Sequence, residues 1–208
     1  MTKITNRPKE TSLMGNYNRT DLAFVRGKGV WLFDKKGKMF LDLASGIAVN
    51  SLGHSHPKLV KVLVNQGAKL WHTSNLYTVP NQEELAKLLT ESTFAEKVFF
   101  TNSGAESVEC AIKISRRFFF SKGQPNRNRI ISFQGSFHGR TMGTIAAAGS
   151  RKSLEGFGPK LPGFDLIKKL SLDSVEKKIS ERTCAILVEP IMGEGGIVTL
   201  SCSFLKGL

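Results

Sequence analysis

Residues 97–120 read KVFFTNSGAESVECAIKISRRFFF, and this stretch does most to restrict the fold. A short apolar run gives way to Thr-Asn-Ser-Gly-Ala, and a helical pattern follows with Val108, Ala111, Ile112, Ser115, Phe118 and Phe119 along one face. The expected unit is a strand at 97–101, a tight connection and an amphipathic helix. Downstream, RIISFQ and CAILVEP read as short buried strands, separated by segments long enough for helices. Strands alternating with helices imply an α/β layer structure with a largely parallel sheet flanked by helices.

Ahead of this, GKGVWLFDKKGKMFLDLASGIAV suggests two short strands reversed at Asp34-Lys35-Lys36-Gly37, with Val30, Leu32, Met39 and Leu41 alternating. HPKLVKVLVNQGAKL has Leu59, Val62, Leu63, Gln66 and Leu70 at helical spacing behind Pro57, which favours a first helical position. NQEELAKLLTEST repeats the pattern with Leu85, Leu88 and Leu89. The expected division is a small N-terminal lobe over residues 1–50 and a large domain over 51–208. FLKGL at the chain's end begins a helix without a stop signal, so the large domain is expected to be incomplete.

With 208 residues, 40% of them hydrophobic, the chain can bury one substantial core. No apolar run is long enough to span a bilayer and the first residues lack a signal core, so a soluble, cytoplasmic protein is expected. The 3 cysteines, Cys110, Cys184 and Cys202, fit small apolar positions in a reducing compartment rather than a disulfide framework. A net charge of +13 is compatible with nucleic acid, an acidic surface or plain solvation. The basic residues are scattered, with a loose concentration in Lys113, Arg116, Arg117, Lys122, Arg127 and Arg129, and no nucleic-acid module accompanies them, which favours a solvated basic surface.

Three short segments carry chemistry. At Ser103-Gly104-Ala105 the helix start leaves unpaired N–H groups and little side chain, which suits a phosphate and equally suits a simple cap. FQGSFHGRT follows a strand and offers Phe137, which could cover a flat aromatic ligand, and Arg140, whose guanidinium could grip a carboxylate. LVEPIMGEGG runs off another strand and presents Glu189 and Glu194 among glycines that permit close backbone approach. GHSHP invites a metal reading, but no third ligand stands at a sensible spacing and no metal is expected.

Taken in order, LDLASGIAVNSLGHSHPKLVKVL, LWHTSNLYTVPNQEELAKLL, FFTNSGAESVECAIK, SFHGRTMGTIAAAGS, GFGPKLPGF and VEPIMGEGG resemble the signature blocks of the class III pyridoxal-phosphate aminotransferases, from about Tyr17 to Leu208. WHTSNLY and FHGRT resemble the acetylornithine branch in particular. The resemblance implies the pyridoxal-phosphate-dependent transferase (type I aminotransferase) fold and pyridoxal phosphate as cofactor. It implies that Ser103, Gly104 and Ala105 hold the cofactor phosphate and that Phe137 stacks on its ring. Arg140 would bind a substrate carboxylate, Glu194 would swing aside to admit different substrates with Glu189 in the same polar wall, and Tyr17, Ser45 and Gly46 would line the pocket from the N-terminal lobe.

By the same resemblance, the reaction is transfer of the δ-amino group of N-acetylornithine to 2-oxoglutarate, giving N-acetylglutamate semialdehyde and glutamate, in arginine biosynthesis. Succinylornithine, ornithine or 4-aminobutyrate are alternative donors, and a remnant without catalysis is the non-enzymatic alternative. The Schiff-base lysine and the aspartate that pairs with the pyridine nitrogen are expected downstream of Leu208; Lys113, Lys160 and Lys206 match neither position. The complete enzyme is expected to be a homodimer, and this chain alone an inactive N-terminal portion.

Overall fold

The turn at Asp34-Lys35-Lys36-Gly37 forms as its composition dictates: Asp34 Oδ1 accepts the Lys36 N–H at 2.8 Å and the Lys38 N–H at 2.9 Å, and Gly37 takes a φ of 80°. It joins β2 (Trp31–Asp34) to β3 (Met39–Leu41). A third strand, β1 (Phe24–Lys28), pairs antiparallel with β2 and makes a three-stranded sheet in the order β1-β2-β3. Its sequence, FVRGK, lacks the alternation that marked the other two and joins through its backbone. The computed structural model describes residues 11–208, and these fall into two units that part between Glu84 and Leu85.

The first unit continues through a helical turn α1 (Ser45–Ala48), helix α2 (Pro57–Gly67) with Pro57 in its first turn, and α3 (Pro80–Ser92), within which the division falls. The apolar stripes of α2 and α3 form at the expected spacing, yet Leu59, Val62, Leu63, Leu85 and Leu88 stay exposed.

In the second unit, α4 (Gly104–Ser121) precedes β4 (Arg129–Phe133), α5 (Met142–Ala148), α6 (Arg151–Leu154), β5 (Phe164–Ile167), α7 (Leu172–Glu176), β6 (Thr183–Ile186), the ribbon β7 (Ile191–Met192) and β8 (Val198–Thr199), and α8 (Cys202–Gly207). β4 lies between β5 and β6, parallel to both. Its alternating side chains build two cores. Ile130 packs with Ile112 of α4 and with Ala146 and Ala147 of α5, while Ile131 and Phe133 pack with Val175 of α7 and Phe204 of α8. Phe133 meets Phe204 edge to face at 5.8 Å, and each such fully buried side chain contributes about 1.5–3 kcal/mol. Ser132 is fully buried and donates its hydroxyl to the Ala147 carbonyl at 2.6 Å. Helices on both faces explain why RIISF is apolar almost throughout.

Two expectations fail in this unit. Residues 97–101 form no strand and pair with none of the described strands; a strand needs a neighbour, and none flanks this segment among the described residues. Ala111 and Phe118 are exposed, so α4 buries a narrower face centred on Ile112. Phe99, Cys110, Ile114 and Phe118 line an apolar groove on that outer side, bordered by Lys113, Arg117 and Lys122. Several arginines of the basic concentration are structural. Arg116 donates to the Asn128 and Pro162 carbonyls, Arg127 to the Thr183 carbonyl, and Arg129 grips Asp165 across β4 and β5.

Candidate active site

Ser103 adopts an extended backbone, φ −154° and ψ 161°, and its side chain accepts the Glu106 N–H at 3.2 Å, which starts the 18-residue helix α4. Glu106 turns back to accept the Asn102 N–H at 2.6 Å. The cap is therefore real, and it does not fill the helix start. A Cβ on Gly104 would meet no heavy atom within 4 Å, so no other part of the described chain packs on the side-chain side of Gly104, which suits the approach of an anion to a helix start.

The loop leaving β4 lies directly on this helix start. Gly139 has a φ of 121°, and a Cβ there would come within 2.7 Å of Ala105 Cβ, an approach that only glycine allows. Gly135, with a φ of 94°, brings the same loop against the segment after Glu189: a Cβ on Gly195 would lie 2.9 Å from the Gly135 carbonyl oxygen. Glu189 fastens the two, accepting the Phe137 N–H at 3.0 Å through Oε2 and the Gly193 N–H at 3.4 Å through Oε1. Phe137 is 44% exposed. Ser136 and His138 are buried, and Ser136 Oγ and His138 Nε2 have no hydrogen-bond partner. Burial pushes the His138 imidazole below its ordinary value, with Glu189 partly opposing.

Ser103, Gly104, Ala105, Phe137 and Glu189 are thus joined in one unit by direct contacts at the carboxyl ends of β4 and β6, where open α/β sheets hold ligands. Arg140 follows Gly139 on the exposed side, and Glu194 is exposed on the segment that crosses Gly135. Tyr17, Ser45 and Gly46 belong to the first unit. Tyr17 is half exposed with the Arg19 guanidinium 5.3 Å from its ring centre. Ser45 and Gly46 sit in α1, whose residues all have left-handed φ values between 50° and 65°.

The residues present fit a flat aromatic phosphate ester such as pyridoxal phosphate. An open helix start, a half-exposed aromatic ring and two orphaned buried polar atoms occur within one continuous set of loops. Glu109 escaped the sequence reading: it accepts a hydrogen bond from the Thr141 hydroxyl and tucks against Gly143, so the second turn of α4 lies against the first turn of α5. The signal was Gly143 in the first turn of α5, where a side chain would collide with that carboxylate.

Comparison with known proteins gives the family. Aminotransferase class-III matches residues 14–208. The chain belongs to the class III aminotransferase family. It is 57% identical over 194 residues to an acetylornithine aminotransferase of Agrobacterium fabrum (strain C58), covering 93% of this chain and 49% of that protein. Among solved structures, the N-acetylornithine aminotransferase of Stenotrophomonas maltophilia K279a is 38% identical with a TM-score of 0.75, over 92% of this chain and 47% of that one. The ornithine aminotransferase of Toxoplasma gondii ME49 superposes with a TM-score of 0.88 at 27% identity, over 94% and 47%. The chain therefore spans about half the length of the relatives it matches, and its parallel sheet with flanking helices is part of their fold. None of the described helices is long and apolar enough to cross a membrane.

Proposed function

We propose that this chain supplies the phosphate-holding and carboxylate-binding portion of a pyridoxal-phosphate-dependent acetylornithine aminotransferase. The observation that carries this reading is the Gly139 contact with Ala105, which lays the Phe137 loop over an open helix start. Amides at Gly104 and Ala105 receive the phosphate, and Ser103 keeps the helix start in register. Phe137 covers one face of the ring, its backbone fixed by Glu189. Pyridoxal phosphate, when bound, supplies an electron-withdrawing ring that makes the substrate C–H next to nitrogen acidic. Arg140 receives a substrate carboxylate, and Glu194 adjusts the pocket between the amine donor and the dicarboxylate acceptor.

The donor is N-acetylornithine and the acceptor 2-oxoglutarate, with N-acetylglutamate semialdehyde and glutamate as products, a step of arginine biosynthesis in the cytoplasm. The lysine that carries the cofactor and the aspartate that faces its ring nitrogen come from sequence beyond these matched positions. The exposed stripes of α2 and α3 and the groove beside Phe99 are surface for the rest of the enzyme and for a second subunit of a homodimer. The test is glutamate formation by the native gene product with added pyridoxal phosphate and 2-oxoglutarate. N-acetylornithine is expected to be the faster donor; preference for ornithine would move the protein to a neighbouring activity, and no glutamate from any donor would reject the reading.

A further inference from the structure

We infer that Glu109 is a positioning residue: through Thr141 it fixes the backbone that carries Arg140 relative to the helix start proposed to hold the cofactor phosphate. This deepens the function proposed above and rests on its assignment of Arg140 to a substrate carboxylate. All the groups concerned lie in the second unit. Glu109 stands in the second turn of α4, and its carboxylate reaches across to the next helix. There it accepts a hydrogen bond from the Thr141 hydroxyl. A Cβ on Gly143 would lie 2.5 Å from the same carboxylate oxygen, so the bare backbone of glycine is what lets the carboxylate settle on the first turn of α5.

That bond decides how the segment before α5 is held. A threonine hydroxyl has one proton to give and two lone pairs. With its proton given to Glu109, Thr141 keeps its lone pairs for the helix, and its Oγ1 accepts the Thr144 N–H at 3.3 Å. The Thr144 hydroxyl oxygen in turn accepts the Thr141 N–H at 2.9 Å, and the peptide group so held is the one that joins Arg140 to Thr141. Thr144 is fully buried, so this peptide is tied to the core. On the other flank Gly139 has a φ of 121°, and a Cβ there would lie 2.7 Å from Ala105 Cβ and 3.0 Å from Thr144 Oγ1. Arg140 is therefore bracketed by a glycine and a threonine that both meet the Thr144 hydroxyl.

Both holds on this segment come from α4. Ala105, in its first turn, is what Gly139 packs against, and Glu109, in its second, takes the Thr141 hydroxyl. One helix thus carries the proposed phosphate seat at its start and grips the Arg140 backbone at two points. The body of α4 is already joined to α5 by the packing of Ile112 with Ala146 and Ala147, so the Glu109 bond is not needed to bring the helices together. It adds its hold at the end of α5 that adjoins Arg140. A shift of about 1 Å in a group that orients a substrate can cost a reaction about a hundredfold, which gives such a hold its value.

The test uses the native gene product loaded with pyridoxal phosphate. Glu109→Ala should raise KM for 2-oxoglutarate, and the calorimetric dissociation constant for glutarate, by about fivefold or more, with kcat changed by less than about threefold and pyridoxamine phosphate binding by less than about twofold. Glu109→Gln keeps an oxygen for the Thr141 hydroxyl and should return both constants to within about twofold of wild type. Thr141→Val removes the donor instead and should raise them by about fivefold or more; it carries the test if Glu109→Ala does not fold. Because Glu109 acts through Arg140, adding Glu109→Ala to Arg140→Ala should raise KM by less than about twofold further. Constants that rise in Arg140→Ala but not in Glu109→Ala would overturn the inference alone, as would additive effects in the double variant or an equal loss of pyridoxamine phosphate binding. Unchanged constants in Arg140→Ala, or a wild type without transamination, would overturn the proposed function and the positioning role with it.

Discussion

Replacing Gly104 with valine separates two roles of one backbone position. Gly104 opens α4, and a Cβ built on it meets nothing within 4 Å, so the fold accepts a branching β-carbon at this position. Exchanging glycine for a residue with fewer unfolded conformations changes stability by less than about 1 kcal/mol. Phosphate binding should respond far more strongly, because the open space in front of Gly104 is the space through which an anion reaches the first helical amides. Losing one charge-assisted hydrogen bond costs about 1.5–3 kcal/mol, equivalent to roughly a ten- to hundredfold rise in dissociation constant. Pyridoxamine phosphate, followed by its own fluorescence, measures that constant in the native gene product, and thermal unfolding of the same samples measures stability. Weaker binding at an unchanged melting temperature is the expected pair of results. Equal affinity in wild type and Gly104→Val would refute the assignment of the phosphate to this helix start.

Arg140→Ala should raise KM for the dicarboxylate acceptor by roughly tenfold or more, since a paired guanidinium contact to a carboxylate is worth about 1.5–3 kcal/mol; steady-state kinetics with 2-oxoglutarate would remove Arg140 from the site if KM did not move. Glu189→Ala strands the Phe137 and Gly193 amides and should weaken pyridoxamine phosphate binding by about fivefold or more, whereas an unchanged constant would mean that Phe137 needs no such anchor. The Arg129 guanidinium holds the Asp165 carboxyl below its usual range, so the unfolded chain takes up that proton at a higher pH than the folded one. The pair's contribution is complete above about pH 4 and is lost as pH falls through the lowered value. Asp165→Asn should therefore flatten the fall in stability below about pH 4, and acid unfolding curves of identical slope would count against the pair.

Local signals carried far in this chain. Ser103 before a helical pattern, Pro57 at a helix start and Asp34-Lys35-Lys36-Gly37 each act through their immediate neighbours, and each forms as expected. RIISF was legible because burial on both faces demands apolar residues at almost every position. The segment at 97–101 differs from its expected strand because an apolar run reports a tendency to extend, while pairing depends on a neighbour elsewhere in the chain. Phe118 and Ala111 were misplaced for a related reason: helical periodicity shows an apolar stripe but not how much of it is covered. Clamps such as Glu189 with two loops and Glu109 with Thr141 join residues far apart in sequence, and no spacing announces them. The glycines came closest to doing so, because Gly139 and Gly143 each stand where a side chain would strike a residue of the site or its clamp.

The most direct measurement is a crystal structure of the native gene product with pyridoxamine phosphate bound. The account predicts phosphate oxygens about 2.7–3.2 Å from the Gly104 and Ala105 amide nitrogens, with the Phe137 ring against one face of the pyridine. A phosphate bound away from the start of α4, or a pyridine ring out of contact with Phe137, would contradict it.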